Sequence, residues 1–527
     1  MLASTIIQKG YLPKELPPPF NTNSLANQIA SNSSSLPKKY FPERGSGEIT
    51  KPVIHNLARA GTLRRRLAIP NPISFHELAL VVHRKWPSLA KFVKKSPISL
   101  STPTQSSSSD RAISPKLGFD ALPIARARTR AGMRYLLKTD ISTFYPSIYS
   151  HSIPWALHTK ALAKKNRDTR LTGNLLDYLI RSAQDGQTVG IPIGPDTSLL
   201  IAEILLTDID IRCTSLNPTR AFRYVDDYEI AYSTFAEAES GLSSLQEILS
   251  EYELQLNPRK TSIVQLPLPL DGLWATELRV HQIRNSTKAQ STDIHSFFTK
   301  AFSLLREYPD ESILKYAIAR FRSVKIEKEN WDLYQDILLQ CATVEPGTLD
   351  SVITELAFFS KNGFQVNLKK LASTLTDIIL FHAPLAHGSE VAWAIWGCIL
   401  FSIKLGRNTT DKLTSIEDST IALLALHANA LGLLHANAQF DKWRSYMNYA
   451  GLMSHQWLLS YEAHVKGWLP AVSGKNYVSS HTYFSWLKDG GVSFYDVDTR
   501  PIRESKFVSY DEEESENDLI FYPNVSS

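Results

Sequence analysis

Two adjacent carboxylates, Asp226 and Asp227, lie inside the run Phe222-Arg-Tyr-Val-Asp-Asp-Tyr-Glu-Ile-Ala-Tyr232. Aromatic, apolar and β-branched residues flank them, the composition of strands. The run therefore reads as a hairpin carrying the pair at its tip. Neighbouring carboxylates repel, and a fold that keeps both ionised usually supplies a cation. Taken alone, the pair reads first as a solvated turn of a surface hairpin. A third carboxylate changes that reading. Tyr135-Leu-Leu-Lys-Thr-Asp140 is an apolar strand that delivers Asp140 at its end, with Pro146 closing the segment that follows. If strand and hairpin are neighbours in one antiparallel sheet, the three carboxylates converge. Such a set can hold two Mg2+ ions roughly 3.5 to 4 Å apart, the separation suited to in-line displacement at phosphorus. One ion would lower the pKa of an attacking hydroxyl, and the other would shield a leaving pyrophosphate. Just upstream, Arg126, Arg128, Arg130 and Arg134 place four guanidinium groups within nine residues. At alternate positions of a strand the first three share a face and could grip phosphates bidentately. A solvated charged face is the other reading of the same residues.

The elements that must position these groups follow from pattern. Residues 1–60 read as an irregular arm, because Leu12-Pro-Lys-Glu-Leu-Pro-Pro-Pro-Phe20 is too rich in proline for a helix interior. Tyr11 stands at its head. Leu63-Arg-Arg-Arg-Leu-Ala-Ile-Pro-Asn-Pro72 is a basic strand ending in a turn. A helix is predicted from an N-cap at Ser74, with Glu77 three residues on, to a break before Pro87. Residues 96–110 are low in complexity and read as a mobile loop. Gln187-Thr-Val-Gly-Ile-Pro-Ile-Gly-Pro195 is a Gly/Pro loop leading into a helix over 197–211, and a further helix is predicted over 236–254. From about 290 to 470 the chain is amphipathic helix in segments divided by turn signals, which predicts stacked antiparallel helix pairs. Trp393 and Trp396, at helical spacing, are expected in that core. Residues 477–495 return to strand and turn chemistry, and Asp511-Glu-Glu-Glu-Ser-Glu516 is an acidic end. The expected fold class is α+β, divided into an arm (1–60), a catalytic unit (61–275), a helical unit (276–475) and a tail (476–527).

Composition limits the alternatives. The chain has 527 residues, 43% hydrophobic and 21% charged, with a net charge of +5, ordinary for a globular protein. The three cysteines, Cys213, Cys341 and Cys398, lack metal-ligand spacing and suit a reducing compartment. No signal-peptide pattern opens the chain, and no run approaches the length of a membrane span. A cytoplasmic protein without membrane contact is expected.

Asp140 with Tyr145, the loop Gly190-Ile-Pro-Ile-Gly-Pro195, Tyr224-Val-Asp-Asp227 and Asn257-Pro-Arg-Lys260 resemble, in order and spacing, motifs A to D of the reverse transcriptases over about residues 60–275. Within that family the chain looks most like the bacterial defence-associated enzymes of the abortive-infection type. The arm Gly10-Tyr-Leu-Pro-Lys-Glu-Leu-Pro-Pro-Pro-Phe20, the wording Thr139-Asp-Ile-Ser-Thr-Phe-Tyr-Pro-Ser-Ile148 and the long helical C-terminal part carry this narrower resemblance. It implies a right-hand polymerase of fingers and palm, with an antiparallel palm sheet, followed by an all-α, HEAT-like repeat domain. It implies Asp140, Asp226, Asp227 and the carbonyl of Ile141 as metal ligands, and Tyr145 as the residue that excludes a ribose 2′-hydroxyl and favours dNTPs. Gln187, Gly190 and Pro192 would pack beneath template and nucleotide. Lys260 would sit by the triphosphate and protonate pyrophosphate. Arg126, Arg128, Arg130 and the Arg64–Arg66 run would contact triphosphate or template.

No RNase H-like acidic set or HNH-type metal cluster is readable after residue 275. In the resembled family the helices take part in oligomerisation, and some members start DNA on a protein hydroxyl. Tyr11 is the candidate primer, with Tyr477, Tyr483 and Tyr495 behind it; the other reading is that Tyr11 anchors the arm by packing. The expected function is a magnesium-dependent RNA-directed DNA polymerase in bacterial antiphage defence. It would act with an RNA template or noncoding RNA, produce templated, untemplated or homopolymeric DNA, and form a homo-oligomer. An RNA-dependent RNA polymerase or an intron maturase is a second reading, and a catalytically dispensable RNA-binding scaffold or sensor a third. Tyr145 opposes an RNA product, the lack of an endonuclease segment opposes the maturase, and the intact trio of aspartates opposes the scaffold.

Overall fold

The computed structural model describes residues 3–41, 45–61, 63–105, 110–213 and 216–499. The acidic end at 511–516 lies outside the described residues. Among the described residues, eight strands form three antiparallel groups. β1 (Val53–Ala58) and β2 (Arg64–Ile69) make a basic hairpin. β3 (Pro103–Gln105) pairs with β4 (Ile113–Pro115). The central sheet joins β5 (Tyr135–Asp140), β6 (Ala221–Tyr224), β7 (Asp227–Tyr232) and β8 (Ser262–Gln265) in the order β6-β7-β5-β8.

Alternation along β5 explains its place. Leu137 faces the core while Lys138 is exposed, and Leu136 is covered from the opposite side. Each fully buried leucine contributes roughly 1.5 to 3 kcal/mol. The helix Asp196–Arg212 is apolar on nearly all sides and is buried accordingly. The helix Phe235–Glu251 starts at a capping box: Thr234 Oγ1 accepts from the Glu237 amide (3.2 Å), and Glu237 accepts from the Thr234 amide (3.0 Å).

Several local expectations change. The helix expected from Ser74 runs over Pro72–Val93, capped by Asn71, whose side chain accepts from the Ile73 amide at 3.2 Å. Pro72 at its first position suits the helix because its missing N–H would have had no partner there. Pro87 does not end it, because Phe75, Val82, Leu89 and Val93 keep one buried face across that position. The serines of 96–101 are not loose: Ser99 and Ser101 donate to Glu203, and Ser96 to Asp210. The described part of the first 60 residues includes the helices Ala3–Gly10 and Asn23–Asn32 and pairs with the tail through Phe20 and Tyr495. The tail itself contains a helix, Thr482–Asp489, in place of strand and turn.

From Leu273 onward the described chain up to Ala430 is helical with short connections. Leu349–Lys361, Leu368–His382 and Ser419–Ala430 each pack on Gly388–Leu400, which also supports β1. Trp396 is fully buried there, and Trp393 donates its indole N–H to the Glu15 carbonyl at 2.9 Å. Among the described residues no helix is long and apolar enough to cross a membrane.

Candidate active site

Antiparallel pairing of β5 with β7 sets Asp140 directly opposite Asp227. Tyr224 pairs with Asp227 across β6 and β7, so Val225 and Asp226 alone form the turn. Val225 has φ +52°. A positive φ at the first central position is what a II′ hairpin turn requires, and glycine is usual there. A β-branched residue holds it at a cost of about 1 to 3 kcal/mol, and only when its surroundings over-determine it. They do so here: the Val225 amide donates to Ser101 Oγ (2.7 Å), and its carbonyl accepts from Arg223 Nη1 (2.7 Å). The amide of Ile141 donates to the Asp226 carbonyl at 3.3 Å, which ties the end of β5 to the same turn.

Asp140 and Asp226 are buried and Asp227 is partly exposed. Lys260 Nζ lies 2.8 Å from Asp140 Oδ2. The turn that carries Lys260 is built on β5: the Asn257 amide donates to the Asp140 carbonyl (2.9 Å), and Thr261 and Thr139 share a hydroxyl hydrogen bond of 2.6 Å. Asp140 Oδ1 is buried without a hydrogen-bond partner among the described residues. Burial, then the charge of Asp226, pushes the Asp227 carboxyl up to about 7 against the opposing pull of Lys260. An orphaned carboxylate oxygen beside a strained carboxylate pair is the donor set a hard divalent cation satisfies, so these residues fit one.

The segment after Asp140 meets the Gly/Pro loop. The Gly190 amide donates to the Ile148 carbonyl (2.8 Å) and the Ile191 amide to the Tyr145 carbonyl (3.0 Å). Gly190 has φ +88°, and a Cβ there would lie 3.2 Å from the Pro146 carbonyl oxygen. Gly190→Ala is therefore expected to destabilise the chain by about 1 to 3 kcal/mol, read as a lowered denaturant midpoint with unchanged slope; an unshifted midpoint would refute the close approach. The Tyr145 ring is half-buried and packs edge-on against Phe144. Burial, with Asp226 nearby, pushes its phenol up, so it is neutral. Gln187 is exposed and gives its carbonyl to Gln184, while the Pro192 carbonyl accepts from Ser198.

The arginines are arranged differently from the expectation. Residues 126, 128 and 130 lie on a helix, Leu122–Arg130, not a strand. Helical spacing puts Arg126 and Arg130 on one side, where both grip Glu229 of β7 at 2.8 Å and bond carbonyls of residues 268–270. Arg128 is exposed on another side. Two of the three thus brace the sheet, and no common phosphate-gripping face exists. Two guanidinium groups that act on the carboxylate site come from the β1–β2 hairpin. The charge of Asp226 acts on Arg59, and that of Arg65 on Tyr145. Strand alternation turns Arg65 away from Arg64, whose guanidinium binds Glu390. Arg59 and Arg65 line a groove of about 1070 Å³ shared with Lys315 and Arg322 of the helical part. The turn at 308–312 also reaches this region: Asp310 acts on Arg59, and the charges of Lys138 and Lys260 act on Glu311. Arg59 had no motif to mark it; its one signal was its place at the tip of a basic hairpin.

Tyr11 does not stand on a free arm. It is fully buried, stacks on Phe75 with ring centroids 4.1 Å apart, and donates to the Pro70 carbonyl at 2.6 Å. Tyr477, Tyr483 and Tyr495 are buried too, bonded to Ser460, His76 and His427. This burial and bonding favour the reading in which Tyr11 anchors the arm by packing. Tyr11→Phe is expected to cost about 1 to 3 kcal/mol by leaving the Pro70 carbonyl unsatisfied, and to leave the 5′ end of any DNA product unchanged. Loss of protein-linked DNA in this variant would reverse that assignment.

A telomerase from Candida albicans, solved with a TWJ fragment of telomeric RNA, is similar at 12% identity and a TM-score of 0.29, over 74% of this chain and 66% of that one. This chain spans just under two thirds of the telomerase chain. No curated protein sequence matches. Residues 88–295 match the family model described as reverse transcriptase (RNA-dependent DNA polymerase). That stretch holds β5 to β8, the Gly/Pro loop, Lys260 and all three aspartates. Residues 88–295 therefore carry a reverse transcriptase domain, the domain of RNA-directed DNA polymerases, nucleotidyltransferases that generally use divalent metal ions and dNTPs.

Proposed function

We propose that this chain is a magnesium-dependent reverse transcriptase of bacterial antiphage defence. It extends DNA on an RNA template or noncoding RNA, and Asp140, Asp226 and Asp227 hold the metal. The observation that carries the reading is the register that sets Asp140 against Asp227, beside an Asp140 oxygen with no partner in the described chain. When bound, Mg2+ supplies activation of the attacking hydroxyl and charge neutralisation at the leaving pyrophosphate. Lys260, 2.8 Å from Asp140, is placed to meet the same phosphates and to give a proton to the departing group. Arg65, from the Arg64–Arg66 run expected to contact triphosphate or template, and its neighbour Arg59 take the triphosphate role. Tyr145 is the wall beneath the sugar, and the loop from Gln187 through Gly190 to Pro192 supports it through the backbone bonds to Tyr145 and Ile148. The Ile141 carbonyl, next to Asp140, completes the proposed ligand set.

The helices after Leu273 are read as a HEAT-like repeat domain; their successive packing supports this. Defence and association of copies through these helices rest on the family resemblance, and a cytoplasmic location rests on the three free cysteines, which suit a reducing compartment. The test is to purify the chain with its bound nucleic acid, supply dNTPs or NTPs with Mg2+, and sequence the product and its 5′ end. DNA that depends on RNA supports the reading; an RNA product, or no polymer, overturns it.

The raised Asp227 carboxyl makes a separate prediction in chelator. Its folded value of about 7 exceeds the unfolded value, so between about pH 4 and 7 the folded chain holds the extra proton. This group's contribution to stability therefore falls as pH rises through that window and levels off above it. A bound cation favours the ionised form, so Mg2+ should raise the melting temperature more at pH 8 than at pH 5.5. Equal increments at both pH values would refute the metal assignment of Asp227.

A further inference from the structure

The corner between the helices Leu368–His382 and Gly388–Leu400 brings together His382, His387 and Glu390. Their spacing in the sequence did not mark them, because the corner must fold back before the three side chains face one another. His382 Nδ1 and His387 Nδ1 are 2.8 Å apart, and each is 3.6 Å from Glu390 Oε1. Tetrahedral zinc, with bonds of about 2.0 to 2.2 Å, sets its donor atoms about 3.3 to 3.6 Å apart. Both histidine–Glu390 separations fall at the upper end of that range, and the histidine pair would have to part by about half an ångström to enter it. The two imidazole nitrogens are each other's hydrogen-bond partners, and both stand beyond hydrogen-bond reach of Glu390 Oε1.

The surrounding contacts hold the donors in place. Arg64 of β2 clasps Glu390, with Nη1 to Oε1 at 2.7 Å and Nη2 to Oε2 at 2.6 Å, and Ser389 Oγ donates to Oε2 at 2.8 Å. Ligating carboxylates ordinarily keep such outer partners, which aim them. Two imidazoles and one carboxylate suit zinc and its neighbours, whereas Mg2+ prefers an all-oxygen shell. The set therefore differs in kind from the three aspartates.

We propose that His382, His387 and Glu390 bind a transition-metal dication of the zinc class, with a fourth position open. The same corner seats the β1–β2 hairpin: Asn56 Nδ2 donates to the Ala386 carbonyl (3.1 Å), the Ala58 amide to Ser389 Oγ (2.8 Å), and Arg64 to Glu390. The metal is thus a structural tie that fixes this seat, while Arg65, one residue from Arg64, faces the groove.

The full-length chain, stripped with chelator and dialysed, is titrated with Zn2+ and with Co2+ as a spectroscopic probe, in excess Mg2+ to occupy all-oxygen sites. One equivalent is expected to bind, with the intense visible absorption of four-coordinate Co2+. His382→Gln and His387→Gln, each checked by its melting curve in chelator, are each expected to weaken binding by about 100-fold or more; even loss of an outer-shell partner costs about 10- to 100-fold. Asp227→Asn should leave this equivalent in place. The proposal is overturned if the unaltered chain binds no Zn2+ under excess Mg2+. It is equally overturned if a folded histidine variant binds as before, or if Asp227→Asn removes the bound metal. Should one histidine variant fail to fold, the other decides.

Discussion

Asparagine at Asp226 or Asp227 is expected to lower the rate of DNA synthesis by about a thousandfold or more while leaving the fold intact. A metal ion contributes several kcal/mol of charge stabilisation in the transition state, and each 1.36 kcal/mol is tenfold in rate. The same substitution removes one of three mutually repelling carboxylates. Asp226 and Asp140 both push the Asp227 carboxyl up, and Lys260 offsets only part of this. In chelator, therefore, Asp227→Asn should melt no lower than the unaltered chain. The two measurements together separate a catalytic role from a structural one. A polymerase rate within tenfold of normal would remove Asp226 and Asp227 from the chemistry.

The second large effect is expected at a residue that touches no substrate. Arg223 on β6 is fully buried between two buried carboxylates. Its Nη1 and Nη2 meet Glu203 at 2.8 and 3.1 Å, and its Nη2 meets Asp210 at 2.7 Å. Ser96, Ser99, Ser101 and Tyr228 complete the carboxylates. Breaking a buried ion pair from one side costs about 3 to 5 kcal/mol, because an uncompensated charge remains. Arg223→Met strands two such groups, so a loss of about 5 kcal/mol or more is expected, comparable with the whole stability of many domains. Loss of soluble protein, or a large drop in denaturant midpoint, checks this; a melting temperature within a few degrees of normal would refute it. Arg223→Lys keeps the charge but not the fork that also reaches the Val225 carbonyl. It should fold less stably and lose more synthesis than its unfolded fraction accounts for, because the turn bearing Asp226 loses one of the three bonds that hold it.

Much of the site was legible because its signals are local. Apolar, aromatic and β-branched runs mark 135–140 and 222–232 as strands, and adjacency alone keeps Asp226 and Asp227 together at the tip of the hairpin. The positive φ at Gly190 accounts for a glycine that the motif order had already singled out. Other readings failed where a local pattern fits two structures. Arg126, Arg128 and Arg130 alternate as in a strand, yet the i, i+4 pair that clasps Glu229 makes a helix the better solution. Neither Asp210 nor Arg223 had a distinguishing local pattern. Their pairing is a consequence of β6 lying against the helix Asp196–Arg212.

The sequence by itself determined the kind of chemistry: three carboxylates, a glycine loop and a lysine, in an order and spacing that neighbouring residues can encode. Only the tertiary structure decided which charged groups are free for that chemistry and which are consumed in holding it. Arg126, Arg130 and Arg223 are spent on carboxylates of the sheet and its helix, Tyr11 is sealed beneath Pro70, and Arg59 and Arg65 are brought to the carboxylates. The physical reason is that burial and ion pairing depend on contacts between residues tens to hundreds of positions apart. The same folding brings Arg64 to Glu390 across 326 positions, and no local period carries that information.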